Sequence, residues 1–350
     1  MKNNRQYSDA ERNTLWQKRI IPALILGLGF ILVLALFRFS FFNATDLFEN
    51  QKVLFWSFRI ISITIFLFLS LWIFYELAKA FVDHKYFAIL LSLILILNVL
   101  LGPSWFTNIL LNTNTEIRFA NKLFSMYLIS SDFGINLWVI LLSSFVFFTI
   151  RIIVLKNNFV LKELFIKTIY FLISLVILNF FLRSFILFLT SQNGLEYILL
   201  VLIIAMSSDI GGFFGGRFLG HKIFTRKLAP TISPKKTIEG ALVGYFIALF
   251  LAFIFIFTWH GIATGVGTSQ NLGVALLDSD NNSNLRIILI VFAIFAPLFA
   301  ITGDLFFSLI KRKLGIKDFS KLLLDHGGIL DRVDSIATIF AFLCLLLFLQ

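Results

Sequence analysis

Asp331 and Asp334 stand three residues apart, so a helix through them puts both carboxylates on one face, able to aim at a single ion. They close a stretch from Gly303 to Ser335, GDLFFSLIKRKLGIKDFSKLLLDHGGILDRVDS, which also holds Asp304, Asp318 and Asp325 beside six Lys and Arg residues. A second stretch, SSDIGGFFGGRFLGHKIFTRKLAPTISPKKTIEG from Ser207 to Gly240, opens on Asp209 and carries Lys235 and Lys236 near its end. Hard oxygen ligands without neighbouring Cys or paired His favour magnesium over zinc. Lysines and arginines set among such carboxylates call for an anionic substrate. Metal, basic side chains and phosphate together are the arrangement of phosphoryl or nucleotidyl transfer, in which the protein mainly positions groups and neutralises charge.

The elements that position these residues are membrane helices. Of 350 residues 59% are hydrophobic and only 14% charged, with a mean hydropathy of +0.93, whereas soluble domains average about 25% charged. The composition excludes disorder, and the single cysteine, Cys344, excludes a disulfide scaffold. The fold expected is an all-α polytopic membrane protein. Runs near the roughly 20 residues that cross a bilayer give nine spans. They are Ile20 to Phe42, Val53 to Tyr75, Phe87 to Leu111, Ile135 to Leu155, Leu164 to Leu189, Leu195 to Phe214, Gly240 to Trp259, Leu285 to Phe307 and Ser335 to Leu349. The first is too long, and lacks the cleavage site, for a signal peptide. The last is short unless it begins in the polar stretch before it.

With the N-terminus cytoplasmic, 23 of the 30 Lys and Arg residues fall on inner segments, as the positive-inside rule requires, and the C-terminus lies outside. Arg38, Arg59, Arg183 and Arg286 fall near the outer ends of spans, where snorkelling to headgroups is expected. Asn112 to Gly134 and His260 to Asn284 read as solvated connectors, and the 45 phenylalanines as a compositional bias. Residues 1–19 form a cytoplasmic segment, 20–194 the N-terminal helices and 195–350 the catalytic region.

Asp209 and Asp304 lie inside apolar runs, near their cytoplasmic ends, where a carboxylate is costly unless it has a partner or faces water. A salt-bridged loop explains the charges of the two stretches but not these two placements. Gly211, Gly212, Gly215, Gly216 and Gly220 recur along one side of a helix, which suits close packing of a neighbour. Ser233-Pro234-Lys235-Lys236-Thr237 reads as a helix start, with Ser as N-cap and Pro first in the helix, offering free N–H groups to a phosphate.

Ser308, Lys311-Arg312, Lys317-Asp318, His326-Gly327-Gly328, Asp331-Arg332 and Asp334, at these spacings, resemble the signature of the phosphatidate cytidylyltransferases. Asp209-Ile210-Gly211, Gly216-Arg217, Ser233 to Thr237, Glu239-Gly240 and Gly303-Asp304-Leu305 resemble the family's other blocks, in order. The resemblance covers Ser207 to Ser335; the first five spans match only as generic hydrophobic helices. It implies that CTP and phosphatidate give CDP-diacylglycerol and pyrophosphate, with Mg2+, at the cytoplasmic membrane face. On it, Asp304, Asp331 and Asp334 are the expected metal ligands, and Asp209 a further ligand or nucleotide contact. Lys235, Lys236, Lys311, Arg312 and Arg332 would neutralise phosphates, in a substrate site shared with Ser233 and Thr237. Lys317 and Asp318 would pair and shape the loop. His326 would bond a phosphate or orient Asp331, or else be structural.

The chain departs from the family pattern at Leu324-Asp325 (usually Pro-Gly), at Phe307 (often Glu) and at Phe213 (often Tyr). A polyprenol kinase-like CTP-dependent enzyme is the alternative within the enzymes, and an ion-coupled transporter the alternative outside them. The partners expected are the two substrates and the bilayer, without nucleic acid; a homodimer is left open.

Overall fold

A computed structural model defines the fold over residues 21–43, 51–102, 133–155, 160–191, 194–265, 283–320, 322 and 327–348. Helix α1 (Ile21–Arg38) closes in a π-helical turn, Phe39–Asn43. There follow α2 (Lys52–Val82), α3 (Lys85–Leu95), α4 (Leu97–Leu100), α5 (Phe133–Leu155), α6 (Leu161–Thr190) and α7 (Gly194–Leu219). A hairpin of β1 (Lys227–Ala229) and β2 (Ser233–Thr237) leads to α8 (Ile238–Gly265), α9 (Ser283–Lys313) and α10 (Leu330–Phe348).

Among the described residues seven helices, α1, α2 and α5 to α9, are long and apolar enough to cross a membrane. The other two expected spans differ. The third is broken after Leu95, so that Lys85–Leu100 is a shorter apolar helix, and residues 103–111 of it lie outside the described residues. The ninth begins at Leu330, taking Asp331, Arg332 and Asp334 into its first turns. The connectors expected at 112–134 and 260–284 fall largely outside the described residues.

Lipid supplies little drive for helices to associate, so packing rests on close contact. Glycines provide it between α7 and α8. A Cβ on Gly244 would lie 2.5 Å from the Ser208 carbonyl oxygen and 2.9 Å from the Gly212 nitrogen, and one on Gly240 2.7 Å from the Gly212 oxygen. Those contacts are with backbone, which cannot give way. Aromatic rings fill the rest: Phe147 stacks on Phe171 at 4.2 Å with Phe81 edge-on to both, and Phe340 of α10 meets Phe181, Phe185 and Phe188 of α6.

Snorkelling does not describe Arg59 or Arg183. Arg59 is 2% exposed beneath the rings of Phe41 and Phe55, and Arg183 is 6% exposed. Arg183 donates to the carbonyls of Asn98 and Leu101 at the end of α4, and Arg38 to those of Leu189 and Ser191 at the end of α6. Helix C-termini leave carbonyls without intrahelical donors, and a five-donor guanidinium satisfies several at once.

Candidate active site

Asp304, in the last third of α9, forms an ion pair with Lys236 of β2 and accepts a hydrogen bond from Ser308 Oγ at 3.2 Å. Asp209, exposed in the second half of α7, feels the charges of Asp304, Lys236 and Arg332. Asp334, 7% exposed on α10, feels those of Asp304, Lys311 and Asp209, and its Oδ1 accepts from the Ser335 N–H at 2.7 Å. Three carboxylates from three helices therefore share one field, with two lysines inside it. Among the described residues no three Asp, Glu, His or Cys side chains close into a metal cage. The donor set is nevertheless all oxygen, and the mutual repulsion of the three carboxylates is what a hard cation relieves.

Asp331 sits differently. Its Oδ1 accepts from Lys311 Nζ at 2.7 Å, while its Oδ2 accepts from the backbone N–H groups of Phe319 and Gly328, both at 2.9 Å. It thus ties the loop after α9 to the start of α10. Gly327 adopts φ +80°, and a Cβ there would come within 3.0 Å of Asp331 Oδ2. That accounts for glycine at this position.

The expected helix start at Ser233-Pro234 is a β-strand instead. Ser233 pairs with Ala229 and Thr237 with Lys227 in the antiparallel hairpin, with a bulge between. In a two-stranded ribbon the N–H that Pro234 lacks can face away from the partner strand, so the proline is tolerated. The helix begins four residues later, where Thr237 is the N-cap and its Oγ1 accepts from the Gly240 N–H at 3.0 Å. Glu239 accepts from the N–H groups of Ile223 and Phe224 and so fixes the loop between α7 and the hairpin. Lys236 reaches the carboxylates from the strand, while Ser233 is half-buried and Lys235 exposed.

Arg312 donates to the carbonyls of Ile232 and Ile316, joining α9 to the hairpin turn. Arg332 is exposed. Lys317 and Asp318 are both exposed and form no ion pair with each other. Phe307 is fully buried against Phe319, so the departure from Glu there fills core; Phe213 is 63% exposed. His326, Leu324 and Asp325 lie outside the described residues.

One member of this end of the bundle was not anticipated. Glu76 of α2 accepts from Ser320 Oγ and from the N–H groups of Ile329 and Leu330. The sequence does carry a signal, an acidic residue at the edge of an apolar run. The second span as read stops at Tyr75, which leaves Glu76 among ordinary loop charges.

A family model described as "Cytidylyltransferase family" matches residues 15–350. Among curated proteins, the phosphatidate cytidylyltransferase of Helicobacter pylori (strain J99 / ATCC 700824) is 38% identical over 143 residues, 41% of this chain and 43% of that protein. That of Haemophilus influenzae is 39% identical over 144 residues, 41% and 43% of the two chains. That of Bacillus subtilis (strain 168) is 38% identical over 156 residues, 45% and 49%. The chain spans just under half the length of these relatives.

Proposed function

Because this chain belongs to the cytidylyltransferase family, we propose that it transfers CMP from CTP to phosphatidate, giving CDP-diacylglycerol and pyrophosphate. The observation that carries the reading is the gathering of Asp209, Asp304 and Asp334 with Lys236 and Lys311 at one end of a membrane bundle. The relatives above bear the name of that activity, and a substrate with two acyl chains suits a site at a bilayer edge.

In the proposed reaction an oxygen of the phosphatidate phosphate attacks the α-phosphorus of CTP. The new P–O bond forms as the bond from that phosphorus to the bridging oxygen breaks, and pyrophosphate carries off the electron pair. The attacking phosphate is already an anion at neutral pH, so no strong general base is required. The barrier is repulsion between two anions, which preorganised cations lower. Lys236 and Lys311 do this work, with Arg332, Lys235 and Arg312 at the exposed rim. Both lysines are held in place by carboxylates, Asp304 and Asp331.

Magnesium, when bound, supplies further charge neutralisation at the triphosphate. Asp334, and Asp304 on releasing Lys236, would hold it, with Asp209 as a third oxygen donor; Asp331 would join only by releasing Lys311. Thr237 and Ser233 would border the nucleotide through the strand they share with Lys236. We place this end of the bundle at the cytoplasmic face, on the distribution of Lys and Arg.

The test is incubation of purified protein in detergent with labelled CTP, phosphatidate and magnesium. Labelled CDP-lipid with pyrophosphate supports the reading. Release of CDP with phosphorylation of an added polyprenol would favour a kinase, and no labelled lipid from folded protein given phosphatidate would refute the proposed reaction.

A further inference from the structure

Glu76 belongs to the half of the chain whose sequence reads as generic membrane helices, yet it is 1% exposed and both its oxygens are engaged. Oε1 accepts from Trp72 Nε1 at 3.0 Å, Ser320 Oγ at 2.6 Å and the Ile329 N–H at 3.2 Å, and Oε2 accepts from the Leu330 N–H at 2.8 Å. Three of the four donors lie 244 to 254 residues away in the chain. A buried carboxylate is costly to hold, and an apolar side chain would brace α2 against α10 at least as well. What only an acceptor can do here is bind the first free N–H groups of a helix, whose partial positive charge it complements.

That helix is α10, whose first two turns carry Asp331, Arg332 and Asp334. The turn before it is gripped from two sides: Glu76 takes the N–H groups of Ile329 and Leu330, and Asp331, itself tied to Lys311, takes that of Gly328. A Cβ on Gly328 would come within 2.4 Å of Glu76 Oε2, so glycine there is what lets the carboxylate in. A one-residue slip in where α10 begins would rotate its face by about 100° and carry Asp334 away from Asp304.

We infer that Glu76 is a positioning residue for the reaction: by fixing where α10 begins, it sets the direction in which Asp334 faces Asp304. What is being aimed rests on the proposed function; the grip itself does not.

The 350-residue chain and its Glu76→Gln, Glu76→Asp and Gly328→Ala variants, in detergent, are compared by hydrogen exchange and by steady-state kinetics. Glu76→Gln keeps the shape but replaces one acceptor oxygen with a donor, and Gly328→Ala crowds the carboxylate from the other side. Both are expected to speed exchange at the amides of residues 328–331 by about ten-fold or more, with the α7–α8 crossing unaffected. Both are expected to lower kcat by about 10- to 100-fold while KM for CTP stays within about three-fold. Glu76→Asp should recover part of both. A brace with no part in aiming would leave kcat per folded molecule unchanged. Unchanged exchange in 328–331, or faster exchange with normal kcat, overturns the inference. Should the wild-type chain form no CDP-lipid, the proposed function fails instead. The exchange measurements then decide alone: acceleration confined to 328–331 upholds the grip, and its absence removes it.

Discussion

Asp334 and Asp331 are three residues apart and have different work. Asp334 is buried in the field of Asp304, Lys311 and Asp209, and among the described residues its carboxylate bonds only its neighbour Ser335 and forms no ion pair, so its charge is not committed to the fold. Asp334→Asn keeps an oxygen for the Ser335 N–H and removes the charge. We expect normal membrane insertion and a loss of about 100- to 1000-fold in turnover, read as labelled CDP-lipid; a near-normal rate would take Asp334 out of the site. Asp331 is committed to the fold through Lys311, in a pair whose side chains are only 10% and 5% exposed. Removing one member leaves a buried charge uncompensated, so Lys311→Met should cost about 3 kcal/mol or more of stability. Thermal unfolding in detergent measures it, and an unchanged midpoint would mean the pair is solvated.

At the scale of elements, the crossing of α7 and α8 rests on glycine against backbone. Gly244→Ala pushes a methyl group into the Ser208 carbonyl oxygen and the Gly212 nitrogen, and should destabilise by about 1 to 3 kcal/mol. Gly29→Ala in α1 meets nothing within 4 Å and should be neutral; equal unfolding midpoints for the two variants would refute the packing account. The glycine repeat was legible in the sequence because its spacing implies a close face whatever the partner. The hairpin was not. Ser-Pro followed by lysines satisfies a helix start and an edge strand equally well, and the choice was made by pairing with Lys227–Ala229, a contact no local pattern encodes. Arg183 was misread for the same reason: the carbonyls it covers at Asn98 and Leu101 lie more than 80 residues away.

Across the whole molecule, seven of the apolar runs and the placement of Asp209 and Asp304 within helices could be read directly, since charge is rare enough here that its placement is informative. Glu76 could not be, because its meaning lies in donors from the far half of the chain. Its position also gives the bundle a polarity that can be tested. Glu76 stands near the end of α2 beside Leu330, with Lys236, Asp304 and Lys311 at the same end. Gln51, exposed just before α2, lies roughly 37 Å from it along the helix at about 1.5 Å per residue. CTP, the proposed nucleotide, is cytoplasmic and membrane-impermeant, and on the proposed orientation the positive-inside rule puts Lys311, Arg312 and Lys313 on that side. In a Cys344→Ser background, Gln51→Cys should therefore react with an impermeant maleimide in intact cells, and Lys313→Cys only in inverted vesicles. The reverse pattern would place the site away from its nucleotide and overturn the orientation and the proposed reaction together; labelling of both positions from one side would break the claim that α2 spans the bilayer.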